Sequence, residues 1–253
     1  MHTHPHKAAL VTGAGTRLGR AMAEHLGQQG WAVAVHYARS ERGASETVAT
    51  IQGSGGTAIS LKADLHQDSE TQTLISRAAK ALGHPITLLV NSASLFIEDD
   101  ARGHMRKEWD AHMQVNLRAP ILLSQSLANA LPDKTKALII NLIDQRVWKL
   151  NPQFFTYTLS KSALWSATRT LAQALSPYIR VNAIGPGPTL KSIHQSQEEF
   201  DAEQAATLTG EGSSPQEIIA ALDYLIVASS VTGQMIASDG GQHLLWQTPD
   251  IVL

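Results

Sequence analysis

Cysteine is absent from the 253 residues. That excludes disulfides, zinc–thiolate centres and thiol nucleophiles, and it fits a reducing, cytoplasmic setting. No apolar run approaches the ~20 residues that span a bilayer. The opening MHTHPHK carries no apolar segment ending in a small-residue cleavage site, so no signal peptide is expected. Aromatic residues make up only 5% of the chain and no basic run exceeds two residues, which argues against a nucleic-acid partner. A net charge of −2 with 43% hydrophobic residues excludes disorder. His2, His4 and His6 alternate and could hold a metal, but their place at a terminus favours an uncommitted end, and no metal site is expected.

What the chain does have is rhythm. Short apolar runs alternate with longer amphipathic segments. KAALVTG, WAVAVHY, GTAISLKAD, ITLLVNSAS, KALIINLID and IRVNAIGPG read as six strands, and GQMIASDGG as a short closing one. Helices are expected from Arg17, over 41–53, 69–82, 106–130, 153–175 and 215–228. The strand runs show no polar alternation, so both faces are buried, as in a parallel sheet covered by helices. Right-handed crossovers then give an α/β fold with a doubly wound parallel sheet of about seven strands and helices on both faces. No repeat or linker divides residues 1–253, so a single domain is expected. A polar stretch at 188–214 breaks the rhythm.

VTGAGTRLGR joins the first strand to the first helix. Gly13, Gly15 and Gly19 permit a tight turn and a close approach to a pyrophosphate, which the helix N-terminus would attract. The spacing is one residue longer than the six-residue dinucleotide fingerprint. The second strand ends in HYARS, with no acid for a ribose 2′-hydroxyl. Arg39 stands there instead, and it suits the 2′-phosphate of NADP. His36 and Ser40 could add hydrogen bonds.

In YTLSK, Tyr157 and Lys161 lie four apart, so a helix sets phenol and ammonium on one face. A free phenol has a pKa of about 10, and a neighbouring ammonium favours its ionisation. Together TGAGTRLG, ADL with Asp64, NSAS from Asn91, Asn116, YTLSK, RVNAIGPG and DGG at 239–241 resemble the short-chain dehydrogenase/reductase family over nearly the whole chain. Each piece is modest alone; all of them in order are specific. The likeness implies a Rossmann-type fold and a mobile substrate lid at 188–214. It implies a cofactor site that also includes Leu18, Asp64, Leu65, Asn91, Ser92, Ala93, Lys161, Pro186 and Gly187. It implies a two-fold symmetric homotetramer too, with Leu244, Leu245 and Trp246 at an interface.

Four details are closer to pteridine and dihydromonapterin (dihydrofolate) reductases: Arg17 in T-G-x-x-x-R-x-G, the HYARS strand end, NSASLF, and Asp144 where the wider family has serine. Ser92 departs from the second asparagine of many relatives. This likeness implies that Phe96 stacks on a pterin ring. It implies that Arg17 and Ser94 hydrogen-bond the pterin and the cofactor phosphates, and that Asn116 holds a water linking Lys161 to solvent. Asp144 precedes Tyr157 by thirteen residues, the family's serine offset. A carboxyl group can pass a proton to the tyrosine or accept from ring N–H groups, which a serine does less well, so it suits reduction of a ring C=N. The expected activity is NADPH-dependent reduction of a dihydropterin, dihydromonapterin or dihydrofolate. The alternatives are an NADPH-dependent carbonyl reductase, opposed by Asp144, Arg17 and Phe96 together, and a non-catalytic NADP-binding sensor, opposed by the Asn116, Tyr157 and Lys161 set.

Overall fold

The structure is a computed structural model that describes residues 7–247. The histidines of the first six residues lie outside the described residues. Seven strands form one parallel sheet in the order β3-β2-β1-β4-β5-β6-β7. They are β1 Ala8–Val11, β2 Ala32–Tyr37, β3 Thr57–Lys62, β4 Leu88–Asn91, β5 Ala137–Leu142, β6 Ile179–Pro186 and β7 Met235–Ser238. The helices are α1 Arg17–Gln28, α2 Glu41–Gly53, α3 Asp68–Leu82, α4 Arg106–His112, α5 Ala119–Ala130, α6 Phe155–Ala174, α7 Gln197–Ala205 and α8 Pro215–Val227.

The continuous apolar runs follow from burial on both faces. In β1, Ala9 and Val11 point into one core layer and Ala8 and Leu10 into the other. β4 divides likewise, with Leu88 and Val90 opposed to Leu89. One layer packs Met22 and Leu26 of α1 and Leu222 and Leu225 of α8 on the sheet. The other packs Leu74 and Ile75 of α3 and Leu123 and Leu127 of α5. Burying one such side chain contributes about 1.5–3 kcal/mol.

The long helix expected over 106–130 runs unbroken in space but not in type: Met113–Arg118 forms a π-helical turn between α4 and α5. The polar stretch 188–214 contains α7, whose capping box pairs Ser196 with Glu199. Strand order reverses between β1 and β4, so the loops leaving those two strands flank a crevice at the carboxyl edge, where sheets of this kind bind ligands. Among the described residues, no helix is long and apolar enough to cross a membrane.

Candidate active site

The loop after β1 is held from beneath. His36 is buried at the end of β2. Its Nδ1 accepts the Gly13 N–H at 3.1 Å and its Nε2 meets the Ala63 carbonyl at 3.1 Å. An amide can only donate and a carbonyl only accept, so the ring is neutral with its proton on Nε2. Burial, ahead of every other cause, pushes its pKa down to about 4. The expectation that His36 meets a cofactor phosphate is therefore corrected: both ring nitrogens are committed inside the protein, and His36 shapes the loop instead. Gly15 packs against the start of α2, where a Cβ would come 2.5 Å from Ser40 Oγ. Gly13 has φ +64°, and a Cβ there would lie 2.9 Å from Ala93 Cα. Thr12 Oγ1 accepts the N–H groups of Ser92 and Ala93, each at 3.0 Å, and so ties the β1 loop to the β4 loop.

Three features of this half suit a dinucleotide. α1 begins without a side-chain cap and without an acid in its first turn, which leaves its first N–H groups to an anion. Arg39 is exposed just past β2, beside Ser40. Asn91 Oδ1, at the end of β4, is buried with no hydrogen-bond partner among the described residues, while its Nδ2 donates to Asn141 Oδ1 at 2.8 Å. Asp64 sits past β3 and accepts the His66 N–H at 3.0 Å. Leu65 is buried beside it and Leu18 is half-buried in α1. Pro186 ends β6, and Gly187 follows it, packed against Asp239.

Arg17 has φ 52°. Left-handed backbone at a side-chain-bearing residue costs about 1–3 kcal/mol, which explains why a glycine is the commoner choice there. Its guanidinium donates to the Leu190 and Lys191 carbonyls at 2.9 and 2.8 Å, so the glycine loop is tied to the start of the segment 188–214.

The other half is built on β5, α6 and the β4 loop. Asp144 follows β5 and caps a short 3₁₀ turn, Oδ1 accepting the Arg146 N–H at 2.8 Å. Its Oδ2 accepts the Tyr157 hydroxyl at 2.9 Å. Lys161, one turn on, is buried and donates to the Leu142 carbonyl at 2.8 Å. Its Nζ lies 5.7 Å from the centre of the Tyr157 ring. The expectation that the Lys161 ammonium shifts the phenol toward ionisation is corrected here. Burial first, and Asp144 second, hold the Tyr157 pKa well above 10. The nearest charge to the hydroxyl is a carboxylate and not the ammonium. Burial pushes Lys161 down to about 8, against the pull of Asp144.

Asn116 lies in the π-helical turn, a common mark of functional sites. Its side chain brackets Leu95, accepting that residue's N–H at 2.8 Å and donating to its carbonyl at 2.9 Å. A further donation reaches Ser160 Oγ at 3.1 Å. Asn116 therefore fastens the β4 loop to α6. Ser94 is exposed in that loop, its hydroxyl 3.3 Å from Asn116 Oδ1. Phe96 meets Tyr157 edge-on, with ring centres 4.7 Å apart. It stacks on Phe154 at 4.0 Å and 14°. His194, between β6 and α7, meets the Phe96 carbonyl at 3.3 Å.

Two residues of this half escaped the sequence reading. Phe154, at φ 52°, caps the start of α6 and backs Phe96. Arg146 holds its guanidinium 5.8 Å from the Phe96 ring and 5.2 Å from Phe154, and its Nε is buried with no partner among the described residues. No local signal marked either one, since both are brought in by the turn that follows Asp144.

Comparison with known proteins bears on this arrangement. The model of the short chain dehydrogenase family matches residues 7–202. The chain belongs to that family. A structure of FolM alternative dihydrofolate reductase 1 from Brucella canis, complexed with NADP, is 47% identical with a TM-score of 0.94, covering 97% of each chain. Dihydromonapterin reductase from Klebsiella pneumoniae is 30% identical over 93% of this chain and 96% of its own. 3beta-hydroxysteroid dehydrogenase 1 from Eggerthella lenta is 31% identical over 94% of both. Membership in the short-chain dehydrogenase family makes the chain an oxidoreductase. The spread of chemistries among relatives at about 30% identity leaves the substrate to the site.

Proposed function

We propose that this chain is an NADPH-dependent pteridine reductase acting on a dihydropterin, dihydromonapterin or dihydrofolate. The observation that carries the reading is the hydrogen bond from the Tyr157 hydroxyl to Asp144 Oδ2 at 2.9 Å. The likeness to the Brucella and Klebsiella reductases supports it. The loop glycines 13, 15 and 19, the α1 N-terminus and the orphaned Asn91 oxygen would hold the dinucleotide, with Arg39 and Ser40 on the 2′-phosphate. Bound NADPH would supply a hydride to the ring carbon.

The protein's part is the proton. Reduction of a ring C=N needs one at nitrogen. Tyr157 keeps its proton at neutral pH, because its pKa is held high. The same 2.9 Å contact runs either way. When Asp144 is protonated, the acid gives to the phenol oxygen as the phenol gives to the substrate nitrogen, and the carboxylate then reloads from solvent. Asp144 keeps free lone pairs for ring N–H groups, and Arg146 Nε is a free donor for a ring acceptor. Phe96 offers its ring for stacking, worth about 0.5–1.5 kcal/mol beyond buried area.

A spectrophotometric screen of NADPH and NADH oxidation tests this against dihydropterins, dihydrofolate and a ketone panel. Turnover of dihydropterins with NADPH preferred is the expected result. Turnover of ketones alone would make the chain a carbonyl reductase, and a protein that binds NADPH and turns over nothing would be a sensor.

A further inference from the structure

His112 ends α4, where the helix widens into the π-helical turn, and it is wholly buried. Both ring nitrogens are fixed. Nε2 lies 3.2 Å from the amide nitrogen of Ile97. An amide N–H can only donate, so Nε2 must offer a lone pair, and in the neutral ring the proton sits on Nδ1. Nδ1 meets Thr156 Oγ1 at 2.6 Å. The Thr156 hydroxyl then turns its own hydrogen to Asp99 Oδ2. Asp99 Oδ1 accepts the Thr156 N–H at 3.0 Å, and the Asp99 carbonyl accepts the Phe155 N–H at 3.3 Å. The relay runs from the backbone of Ile97 to the start of α6. Ile97 is the neighbour of Phe96 and Thr156 is the neighbour of Tyr157. The His112 ring also rests edge-on against Tyr157, with ring centres 6.1 Å apart.

We propose that His112 is a positioning residue: as the neutral Nδ1–H tautomer it clamps the Phe96 segment to the catalytic helix and sets the stacking ring against the proton-donating phenol. The part of this that concerns substrate rests on the pteridine reading.

The clamp responds to acid. A second proton on Nε2 would set two donors face to face at Ile97 and break that bond. Burial opposes the proton most, and Lys161 of α6 opposes it too. Asp99 of the β4 loop and Glu108 of α4 favour it, and the balance leaves His112 below its ordinary value. Tyr157, the remaining titratable neighbour, stays neutral. The clamp therefore holds through neutral pH and opens somewhere on the acid side of about 6.5.

Full-length wild type, His112→Gln and His112→Leu test this. Nitrogen NMR of labelled histidine at neutral pH should show Nδ1 protonated and Nε2 bare. The opposite tautomer, or an imidazolium, would overturn the proposal whatever the substrate proves to be. In kinetics with NADPH and 7,8-dihydrobiopterin, His112→Leu should raise the dihydropterin KM about tenfold, the scale of one buried hydrogen bond left unmade. The NADPH KM should stay within about twofold of wild type, since no His112 bond reaches the cofactor half. His112→Gln, whose Oε1 can accept the Ile97 N–H, should fall between. Wild type should lose dihydropterin affinity only on the acid side of the ordinary histidine range, since burial lowers the His112 pKa, and both variants should lack that dependence. An unchanged KM in a folded His112→Leu protein, or an acid-side loss that survives in His112→Gln, would sink the proposal. If wild type reduces no dihydropterin, the functional reading fails by itself, and the tautomer alone decides on the clamp.

Discussion

At the residue scale, the site turns on which charge stands nearest the Tyr157 hydroxyl. A serine at position 144 would leave a hydroxyl there, with one proton and no charge. The carboxyl of Asp144 raises the phenol pKa and accepts the phenol's hydrogen bond. Asp144→Ser should therefore fold and bind NADPH, because the residue caps an edge turn outside the core. Its dihydropterin turnover should fall by about 10²-fold or more, the scale of a lost general acid. Wild type should lose turnover as pH rises through about 8, where the Lys161 ammonium is lost. Asp144→Ser should move that limb to lower pH, because the carboxyl helps Lys161 hold its proton. Steady-state pH profiles of the two proteins decide it: identical profiles with equal turnover would make the carboxyl incidental. The Asp144–Tyr157 pair was legible in the sequence because its offset is fixed by one strand end and one helix. His112 and Arg146 were not legible, because each acts through contacts to segments that only the fold brings near, Ile97 and Thr156 for one, Phe96 and Phe154 for the other.

At the scale of elements, the strands were legible because burial on both faces leaves an unbroken apolar run, and the helices because each has one core-facing stripe. The π-helical turn was not, since one added residue per turn leaves composition untouched. α7 was missed for a different reason. It buries little besides Phe200, so the apolar stripe that betrays the other helices is absent. The signal it did carry was the cap: Ser196 three residues before Glu199, the same S-x-x-E spacing as Ser214 and Glu217 at α8. A helix with so small a core face depends on its ends. Ser196 accepts the Glu199 N–H at 3.1 Å, and Glu199 returns to the Ser196 N–H at 2.7 Å. Replacing Ser196 by Ala should cost about 1 kcal/mol locally. Amide exchange across 197–205 should then quicken by about fivefold, while α1 and the sheet keep their protection. Hydrogen-exchange mass spectrometry reads this directly. A matching loss of protection in the sheet would show that α7 unfolds with the core and does not open on its own.

At the scale of the whole molecule, Leu244 and Trp246 are exposed and Leu245 is half-buried, and the tetramer expected from the family likeness would cover them. The larger consequence concerns acid. His36 joins three parts of the fold, the glycine loop through Gly13, the end of β2 that carries it, and the segment past β3 through Ala63. It does so only when neutral. The folded pKa is about 4, whereas an unfolded histidine titrates at about 6.5. Between those values the unfolded chain binds the proton and the folded chain does not, so stability rises with pH across the window and is lost as pH falls below 6.5. At about 1.4 kcal/mol for each pH unit, His36 alone removes about 3 kcal/mol by pH 4. His112, also depressed, acts in the same direction. Urea unfolding at pH 7.5, 6 and 5 should show a steady fall in midpoint at constant slope. His36→Asn, which keeps an acceptor for Gly13 but has nothing to protonate, should flatten that dependence. The same proton would expel the Gly13 N–H from Nδ1, so NADPH affinity of the folded protein should hold down to about pH 4 and weaken below it, and not in His36→Asn. A wild-type protein whose stability stays level from pH 7.5 to 5 would mean that the buried imidazole is not coupled to folding as its two hydrogen bonds require.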